Sequence, residues 1–342
     1  MGEFELLQRV RERLPPPDGR ILLGSGDDAA IAVPEGATAT SVDALVEGIH
    51  FRRGEASLAQ IGRKALGVAL SDLAAMGAQP GEAYVVLGVP PDLDEDGCIE
   101  LLDGLLGEAE ATDTSLVGGD VTRATELFLA VTVVGHAAAP ERLIKRSGAQ
   151  PGDVLVVTGE LGGAAAGLLL LDKLRDFAFI RDMGGSTSKS ALDRREGERV
   201  GLVARQLEPR PRLAAGRALA GAGATAMIDL SDGLGGDANH LAAASGVELR
   251  IDGDALPLAA GLAEVATAAG RDPIELAVSG GEDYELLVAL PTERLEEARR
   301  AVSESEGIAL TRIGEVAAGD GVEIRLQPDG RRLEPEGFDQ LG

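Results

Sequence analysis

Six acidic segments set among glycine or serine are the residues of this sequence most able to do chemistry. They are Gly26-Asp27-Asp28, Ser41-Val42-Asp43, Ser71-Asp72, Gly118-Gly119-Asp120, Asp229-Leu230-Ser231-Asp232-Gly233 and Gly280-Gly281-Glu282-Asp283. Carboxylates are hard oxygen ligands for divalent cations, and glycine permits sharp turns and close backbone approach. Two like charges about 4 Å apart repel by about 1 kcal/mol in water and about 4 kcal/mol at an effective dielectric of about 20. The pattern therefore predicts a multi-metal site, and Mg²⁺ in turn indicates phosphate chemistry.

Side chains for nucleophilic or acid–base catalysis are scarce. The chain has one Cys and three His, and it contains no Gly-x-Ser-x-Gly elbow, no Walker A loop and no protein-kinase glycine loop. A nucleotide would then be held by metal ions, backbone amides and arginine, for which Arg146 is the best candidate, although it could also be a surface residue in a linker. His50 follows Asp43 closely enough to reach the same site, and a structural role is equally compatible. His136 and His240 are predicted to be structural.

The hydrophobic pattern predicts an α/β protein that brings these acids to the ends of strands and helices. A strand over residues 37–43 would end at Asp43, and a helix capped by Ser57 would carry Asp72 in its last turns before Gly77. A short strand over 115–117 would lead into a turn at 118–120. In the second half, a strand over 226–229 would lead into Ser231-Asp232-Gly233 and then a helix.

The length and a break in the pattern predict two domains. At 342 residues the chain can bury two cores, and Ala-Ala-Ala-Pro interrupts the elements between residues 137 and 141. We therefore predict a domain over 1–139 that binds metal and nucleotide and a domain over 140–342. Residues 175–195, which contain Gly-Gly-Ser-Thr-Ser, are predicted to be a mobile segment.

Composition excludes several classes of partner. The net charge of −25 argues against nucleic acid, whose phosphates require a basic face. The sequence contains no stretch of 18 or more apolar residues, so no membrane span is predicted. The first residues do not resemble a signal peptide. The single Cys98 excludes an internal disulfide and suits a reducing, cytoplasmic compartment.

One segment imitates an EF-hand calcium loop. Asp92-Leu93-Asp94-Glu95-Asp96-Gly97 is followed by Asp103 at the twelfth position. However, Pro90-Pro91 precedes it, and Asp replaces the usual bidentate Glu. The acidic N-terminus of a helix is the better interpretation.

Together, these segments closely resemble the thiamine-monophosphate kinase family, part of the aminoimidazole-ribonucleotide synthetase superfamily. The resemblance covers nearly the whole chain. The motifs that carry it are Gly24-Ser25-Gly26-Asp27-Asp28-Ala29, residues 70–78 with Ser71-Asp72, Gly118-Gly119-Asp120-Val121-Thr122-Arg123, Ile228-Asp229-Leu230-Ser231-Asp232-Gly233-Leu234 and Ser279-Gly280-Gly281-Glu282-Asp283-Tyr284-Glu285-Leu286.

This resemblance implies an N-terminal α/β domain that dimerises through its sheet, a C-terminal α/β domain and an active cleft formed by both. It implies several Mg²⁺ ions at Asp28, Ser41, Val42, Asp43, Asp72, Asp120, Asp229 and Asp232. It implies ATP contacts from Gly119, Asp120, Arg146 and Ser231, and substrate contacts from His50, Glu282 and Phe338. Val42 stands where the family often has Thr, so a metal contact there would use its backbone carbonyl.

The reaction implied is direct transfer of the γ-phosphoryl group of ATP to thiamine monophosphate, the final step of thiamine diphosphate biosynthesis. No residue is expected to act as nucleophile or base. Two alternatives remain: another ATP-dependent synthetase of the superfamily, or a non-catalytic acidic protein that binds Ca²⁺ at 92–103.

Overall fold

The structure is a computed structural model that describes residues 3–16, 19–25, 29–34, 36–174, 189–327, 330–335 and 337. The chain divides into two compact units, unit 1 over Met1–Leu143 and unit 2 over Ile144–Gly342. None of the helices in the described ranges is both long enough and apolar enough to cross a lipid bilayer.

Unit 1 is built on a four-stranded sheet in the order β3-β6-β4-β5, together with a small antiparallel pair, β1 and β2. The strands are β1 (Ile21–Leu23), β2 (Ile31–Ala32), β3 (Ala37–Val46), β4 (Gln79–Val89), β5 (Ser115–Arg123) and β6 (Phe128–Ala137). The helices in the described part of this unit are α1 (Glu3–Arg13), α2 (Leu58–Ala75) and α3 (Glu95–Thr112), with a 3₁₀ turn at Pro140–Arg142. Strands β4 and β5 are parallel, and the other pairs are antiparallel.

The helix that carries Asp72 begins as the sequence predicts. Ser57 Oγ accepts a hydrogen bond from the Gln60 N–H, and Gln60 Oε1 accepts one from the Ser57 N–H, which completes a capping box. Helix α2 packs tightly on α3, because a Cβ at Gly62 or at Gly104 would collide with backbone of the other helix. The cap and this close packing fix where Asp72 lies.

Two local predictions for unit 1 were wrong. Asp43 does not end a strand, because β3 continues to Val46. Residues 118–120 do not form a turn, because Gly118, Gly119 and Asp120 all lie within β5. A Cβ at Gly119 would collide with the backbone oxygen of Val85 in β4, so this glycine permits close strand approach instead of chain reversal.

The segment that imitates a calcium loop is the start of α3. Asp94 is the N-cap, and its Oδ1 accepts a hydrogen bond from the Gly97 N–H at 2.9 Å. Asp92 and Asp103 form ion pairs with Arg53 and Arg13, on different neighbouring elements. The helical geometry contradicts a calcium loop over 92–103 and confirms the interpretation as a helix N-terminus.

Unit 2 is built on a seven-stranded sheet in the order β13-β12-β9-β11-β7-β10-β8. Its strands are β7 (Asp153–Thr158), β8 (Ala226–Asp229), β9 (Glu248–Asp252), β10 (Leu286–Pro291), β11 (Leu310–Ala317), β12 (Gly321–Arg325) and β13 (Arg332–Leu333). The helices it describes are α4 (Gly163–Leu174), α5 (Lys189–Leu207), α6 (Leu213–Ala222), α7 (Leu234–Ser245), α8 (Leu262–Ala268), α9 (Pro273–Ser279) and α10 (Leu295–Glu306). Among the strand pairs described in this sheet, β9 and β12 are parallel and the others are antiparallel.

The core of unit 2 is aliphatic and centres on its middle strands. Every residue of β7 is buried, and so is β10 up to Leu290. Of the segment predicted to be mobile, residues 175–188 lie outside the described residues. The remainder belongs to α5, which begins at Lys189. The middle strands therefore provide a rigid support for the loops at their ends.

Candidate functional site

In unit 1, the side chains of Ser41 and Asp72 lie together. Ser41 is in β3 and Asp72 is in the last turns of α2, and the Ser41 hydroxyl donates a hydrogen bond to Asp72 Oδ2. Helix α2 packs against β3 and β6, which brings these two residues together despite their separation in sequence. The pair places two oxygen ligands of the kind that Mg²⁺ prefers side by side.

The other predicted ligands of β3 lie on an edge strand. Asp43 accepts a hydrogen bond from the Ala44 N–H at 2.7 Å, and the Val42 side chain is 64% exposed. Because side chains alternate along a strand, Ser41 and Asp43 share one face and Val42 points to the other. The Val42 side chain has no oxygen atom, so only its backbone carbonyl can serve as an oxygen ligand.

Gly119 and Asp120 lie in β5, the opposite edge strand of the same sheet. Asp120 is exposed and lies opposite Val86 of β4. An apolar cavity of about 80 Å³ adjoins both residues and is lined by Leu6, Val85, Leu102 and Leu116 among others. This cavity sets an apolar surface beside an exposed carboxylate, an arrangement suited to a ligand with one apolar and one cationic end.

Two hydrogen bonds hold His50 in a loop, one to its ring and one to its backbone carbonyl. Its Nδ1 accepts a hydrogen bond from the Val46 N–H at 3.1 Å, and its carbonyl accepts one from the Lys64 ammonium at 3.4 Å. Because Nδ1 is an acceptor, the neutral imidazole carries its proton on Nε2. The half-buried ring can therefore donate a hydrogen bond from Nε2 to an anionic ligand.

In unit 2, three carboxylates gather where β8 ends. Asp229 is the last residue of β8, Asp232 follows in a turn, and Asp237 lies in the first turn of α7. Burial, together with the charges of Asp229 and Asp232, raises the pKa of Asp237 to about 8. Two of the three, Asp229 and Asp232, are predicted metal ligands, and carboxylate oxygens are ligands that divalent cations prefer.

The predicted nucleotide ligand Arg146 belongs to this group. Its guanidinium lies close enough to Asp237 to favour the ionised form of that carboxyl and so oppose the rise in its pKa. The neighbouring Lys145 accepts a hydrogen bond from the Met227 N–H, and the Arg146 carbonyl accepts one from Ser245 Oγ. Arg146 is thus attached to the body of unit 2 next to β8.

The loop that carries Glu282 touches the turn that carries Ser231. The Glu282 N–H donates to the Ser231 carbonyl at 2.8 Å, and a Cβ at Gly281 would press against that same oxygen. Glu282 adopts a left-handed backbone with φ of 67°, which is costly for a residue other than glycine. The Glu282 carboxylate accepts a hydrogen bond from the Gln206 side chain of α5. The loop is therefore held in an unfavourable conformation from two sides.

Asp283, next to Glu282, caps a helix from a distance. Its carboxylate accepts hydrogen bonds from the Gly162 N–H at 2.6 Å and the Ala164 N–H at 3.1 Å, at the start of α4. Burial raises the pKa of the Asp283 carboxyl to about 7, although both hydrogen bonds favour the ionised form. The Glu282 loop is thereby attached to α4.

Asp283→Asn should change how stability depends on pH. Because the folded pKa of Asp283 is raised from 3.8 to about 7, the folded state retains a proton that the unfolded state releases between these values. Stability from this group is thus present below about pH 4 and is lost as pH rises to about 7. Asn cannot ionise, so we expect the variant to gain stability relative to the parent chain by up to ~4 kcal/mol over that window.

Urea denaturation of both proteins at pH 5, 6 and 7.5 measures this difference. A difference in unfolding free energy between variant and parent that stays constant with pH would contradict the raised pKa of Asp283. All other titrating groups are common to the two proteins and largely cancel in the comparison.

The last described residues of the chain lie against α7. The Asn239 side chain donates to the Pro335 carbonyl at 2.8 Å, and Gly337 packs against Gly236 and the carbonyl of Asp232. Phe338, predicted to contact substrate, and Asp28, predicted to bind metal, are outside the described residues.

The structure thus forms two groups of predicted site residues, one in each unit. In unit 1 it places Ser41 against Asp72. In unit 2 it joins Asp229, Asp232 and Arg146 around Asp237, and it joins Ser231 to Glu282. Across the described ranges, no group of three or more His, Cys, Asp or Glu side chains is arranged to hold a metal ion. The metal ligand set therefore stays a prediction.

Sequence reasoning missed Asp237 and Gln206, which contact predicted site residues. Asp237 had a local signal, since Gly235-Gly236-Asp237 repeats the Gly-Gly-Asp pattern of residues 118–120. Gln206 had none, because it lies 76 residues from its partner Glu282.

Comparison with known proteins agrees with this arrangement of elements. Residues 26–137 match the family model of the AIR synthase related protein, N-terminal domain, and residues 150–327 match that of the C-terminal domain. These ranges cover most of the chain and include most of the residues described above. The fold is thus that of an AIR synthase related protein, with the two-domain α/β architecture expected from the sequence.

Individual relatives narrow the assignment. Thiamine-monophosphate kinase of Mycobacterium tuberculosis (strain CDC 1551 / Oshkosh) is 39% identical over 295 residues, covering 84% of this chain and 80% of the relative. The crystal structure of thiamine-monophosphate kinase from Stenotrophomonas maltophilia K279a is 36% identical, with a TM-score of 0.78 over 97% of this chain and 98% of that one. A structure of AaThiL complexed with AMPPCP and TMP is 30% identical, with a TM-score of 0.73 over 99% and 97%.

This chain belongs to the thiamine-monophosphate kinase family, and it is a kinase. The resemblance found in the sequence motifs is thereby confirmed.

Proposed function

We propose that this protein transfers the γ-phosphoryl group of ATP to thiamine monophosphate, giving thiamine diphosphate and ADP. The single observation that carries the proposal is the backbone contact between the turn with Ser231 and the loop with Glu282. One segment is proposed to bind ATP and the other the acceptor, so this contact would bring donor and acceptor together. The related AaThiL bound to AMPPCP and TMP supports the same pair of ligands.

The acceptor activates itself in this reaction. A phosphate monoester has a second pKa of about 6, so its oxygen is already a dianionic nucleophile at neutral pH. The acceptor oxygen forms a bond to the γ-phosphorus of ATP. At the same time the bond from that phosphorus to the β–γ bridging oxygen breaks, and ADP leaves with the bridging oxygen. No enzyme base or nucleophile is required, which accounts for the scarcity of His and Cys.

The chain's own task is to position two anions and to counter their charge. We assign the metal ligands to Asp28, Ser41, the carbonyl of Val42, Asp43, Asp72, Asp120, Asp229 and Asp232. When bound, Mg²⁺ ions would neutralise the phosphates and align them for in-line transfer. Arg146 and the amide of Gly119 would hold ATP together with Ser231. His50 through Nε2, Glu282 and Phe338 would hold the acceptor.

We also infer a homodimer formed through the sheet of unit 1. Val42 and Val86 lie on the same face of that sheet and are 64% and 37% exposed. Exposed β-branched residues on one sheet face favour association with a like surface. A cytoplasmic location is part of the proposal, and the buried unpaired Cys98 supports it.

Product analysis tests the reaction directly. The purified protein is incubated with ATP, Mg²⁺ and thiamine monophosphate, and the products are separated by chromatography. We expect equal amounts of thiamine diphosphate and ADP, with neither formed from free thiamine or without Mg²⁺. Release of ADP without thiamine diphosphate, or phosphorylation of free thiamine, would refute the proposed function.

A further inference from the structure

Asp237 holds the turn that carries Ser231 and Asp232. It lies in the first turn of α7 and is only 2% exposed. Its Oδ2 accepts hydrogen bonds from the Asp232 N–H and the Gly233 N–H, both at 3.1 Å. Gly233 has φ of 108°, a backbone conformation that L side chains rarely adopt. The carboxylate therefore fixes two consecutive peptide groups of an unusual turn.

The negative charge of the Asp237 carboxylate lowers the stability of the folded state. Asp229 and Asp232 are close enough to repel it, and Arg146 is the cation that opposes this repulsion. A neutral Asn or Ser could accept the same two hydrogen bonds without burying a third charge. The two hydrogen bonds therefore depend on the oxygen atom and not on the charge that it carries.

The turn also has other supports that act on different residues. The Glu282 N–H binds the Ser231 carbonyl, and Gly233 packs against the backbone of Ser279 and Gly280. Asp237 is the contact that acts on the N–H groups of Asp232 and Gly233. Without it, one buried and one partly buried donor would need new partners, and the simplest response would be a rotation of the turn.

We propose that Asp237 is a positioning residue for phosphoryl transfer, whose carboxylate orients the Ser231 hydroxyl and the Asp232 carboxylate toward the nucleotide. The inference rests on the proposed function, but it concerns a residue that would touch neither ATP nor acceptor. Asp237 acts by placing one oxygen atom, Oδ2, where it accepts hydrogen bonds from the Asp232 and Gly233 N–H groups.

Three variants test this role. Asp237→Asn keeps an oxygen at the same distance from the backbone, and Asp237→Glu keeps the charge but moves it by one methylene. Asp237→Ala removes the acceptor. Positioning by an oxygen atom predicts near-parent activity for Asn, within about threefold, and a loss of about 10–100-fold in kcat/KM for ATP with Glu and Ala. KM for thiamine monophosphate should change far less.

Asp272 provides a matched control. It caps α9 of the same unit, and its Oδ1 accepts hydrogen bonds from the N–H groups of Ile274 and Glu275 at 2.8 and 3.1 Å. Asp272→Ala should lower the melting temperature as Asp237→Ala does, yet leave kcat/KM for ATP within about twofold. This comparison separates loss of a helix cap from loss of a positioning contact.

Binding of AMPPCP with Mg²⁺, measured by calorimetry, gives a readout independent of turnover. If the parent chain binds the analogue but does not phosphorylate thiamine monophosphate, the proposed function fails while the positioning role can still be read from affinity. An inactive Asn variant beside an active Glu variant would overturn the inference, because charge and not position would then matter. Equal kcat/KM for Asp237→Ala and Asp272→Ala would also overturn it. If the Ala variant does not fold, the comparison of Asn with Glu alone decides.

Discussion

Asp72→Asn should lower kcat by at least about 100-fold while leaving the fold of unit 1 intact. Asn has the size of Asp and can still accept the hydrogen bond from Ser41, so the packing of α2 on β3 does not change. What Asn lacks is the negative charge that a bound Mg²⁺ requires from its ligands. Asp120→Asn should have a similar effect from the opposite edge of the sheet.

Steady-state kinetics with ATP and thiamine monophosphate measure the loss, and circular dichroism measures the fold. Asp103→Asn is the matched control in the same unit, because Asp103 is exposed on α3 and forms one surface ion pair with Arg13. That control should retain activity within about twofold. Near-normal activity of Asp72→Asn would refute the metal assignment, whereas equal loss in Asp103→Asn would indicate a general effect of charge.

Arg212→Met should destabilise unit 2 by about 3–5 kcal/mol. Arg212 Nε lies 2.8 Å from Glu285 Oε2, and its Nη2 lies 2.5 Å from Glu285 Oε1. Glu285 is fully buried and also accepts a hydrogen bond from Thr158 Oγ1. Removing the guanidinium leaves a buried carboxylate without its cation, a far larger cost than the loss of the attraction alone.

Urea denaturation measures the change, and two further variants interpret it. Arg294→Met removes a pair with Glu297 in which both side chains are about half exposed, so we expect a cost below about 1 kcal/mol. Arg212→Met combined with Glu285→Gln should recover part of the loss, because the fully buried carboxylate of Glu285 is then replaced by a neutral amide. If the single and double variants are equally unstable, lost packing and not the charge explains the result.

The sequence allowed reliable prediction of features that depend on neighbouring residues. Ser57 was recognised as a helix cap and the acidic segment at 92–97 as a helix N-terminus, because these signals lie within a few residues, and the structure has the capping bonds of Ser57 and Asp94. The strand at 226–229 and the turn after it were predicted for the same reason. These local signals place Asp72 on a helix and Asp232 in a turn.

Glycine was the main source of error in unit 1. Gly118-Gly119 has the appearance of a turn, but β5 continues through it because Gly119 lets the two strands approach closely. Whether a glycine serves conformation or close packing depends on what lies against it, and this partner, Val85, is far away in sequence. Asp43 was placed at the end of its strand because the pairing with β6 that extends β3 to Val46 is likewise distant.

The contacts that hold the candidate site in place could not be predicted from the sequence. Gln206 with Glu282, and Arg212 with Glu285, are separated by 76 and 73 residues, and no local pattern links either pair. Buried polar contacts of this kind are specified by the packing of whole elements.

The rate at which a reagent labels Cys98 can measure local opening of unit 1. This only thiol of the chain is buried beneath α1, beside the cavity that reaches Gly119, and burial raises its pKa to about 11. A disulfide reagent can attack it only when the buried thiol becomes exposed and ionises. The rate of labelling therefore follows fluctuations of the first unit separately from those of the second, and a ligand that filled the cavity would slow it.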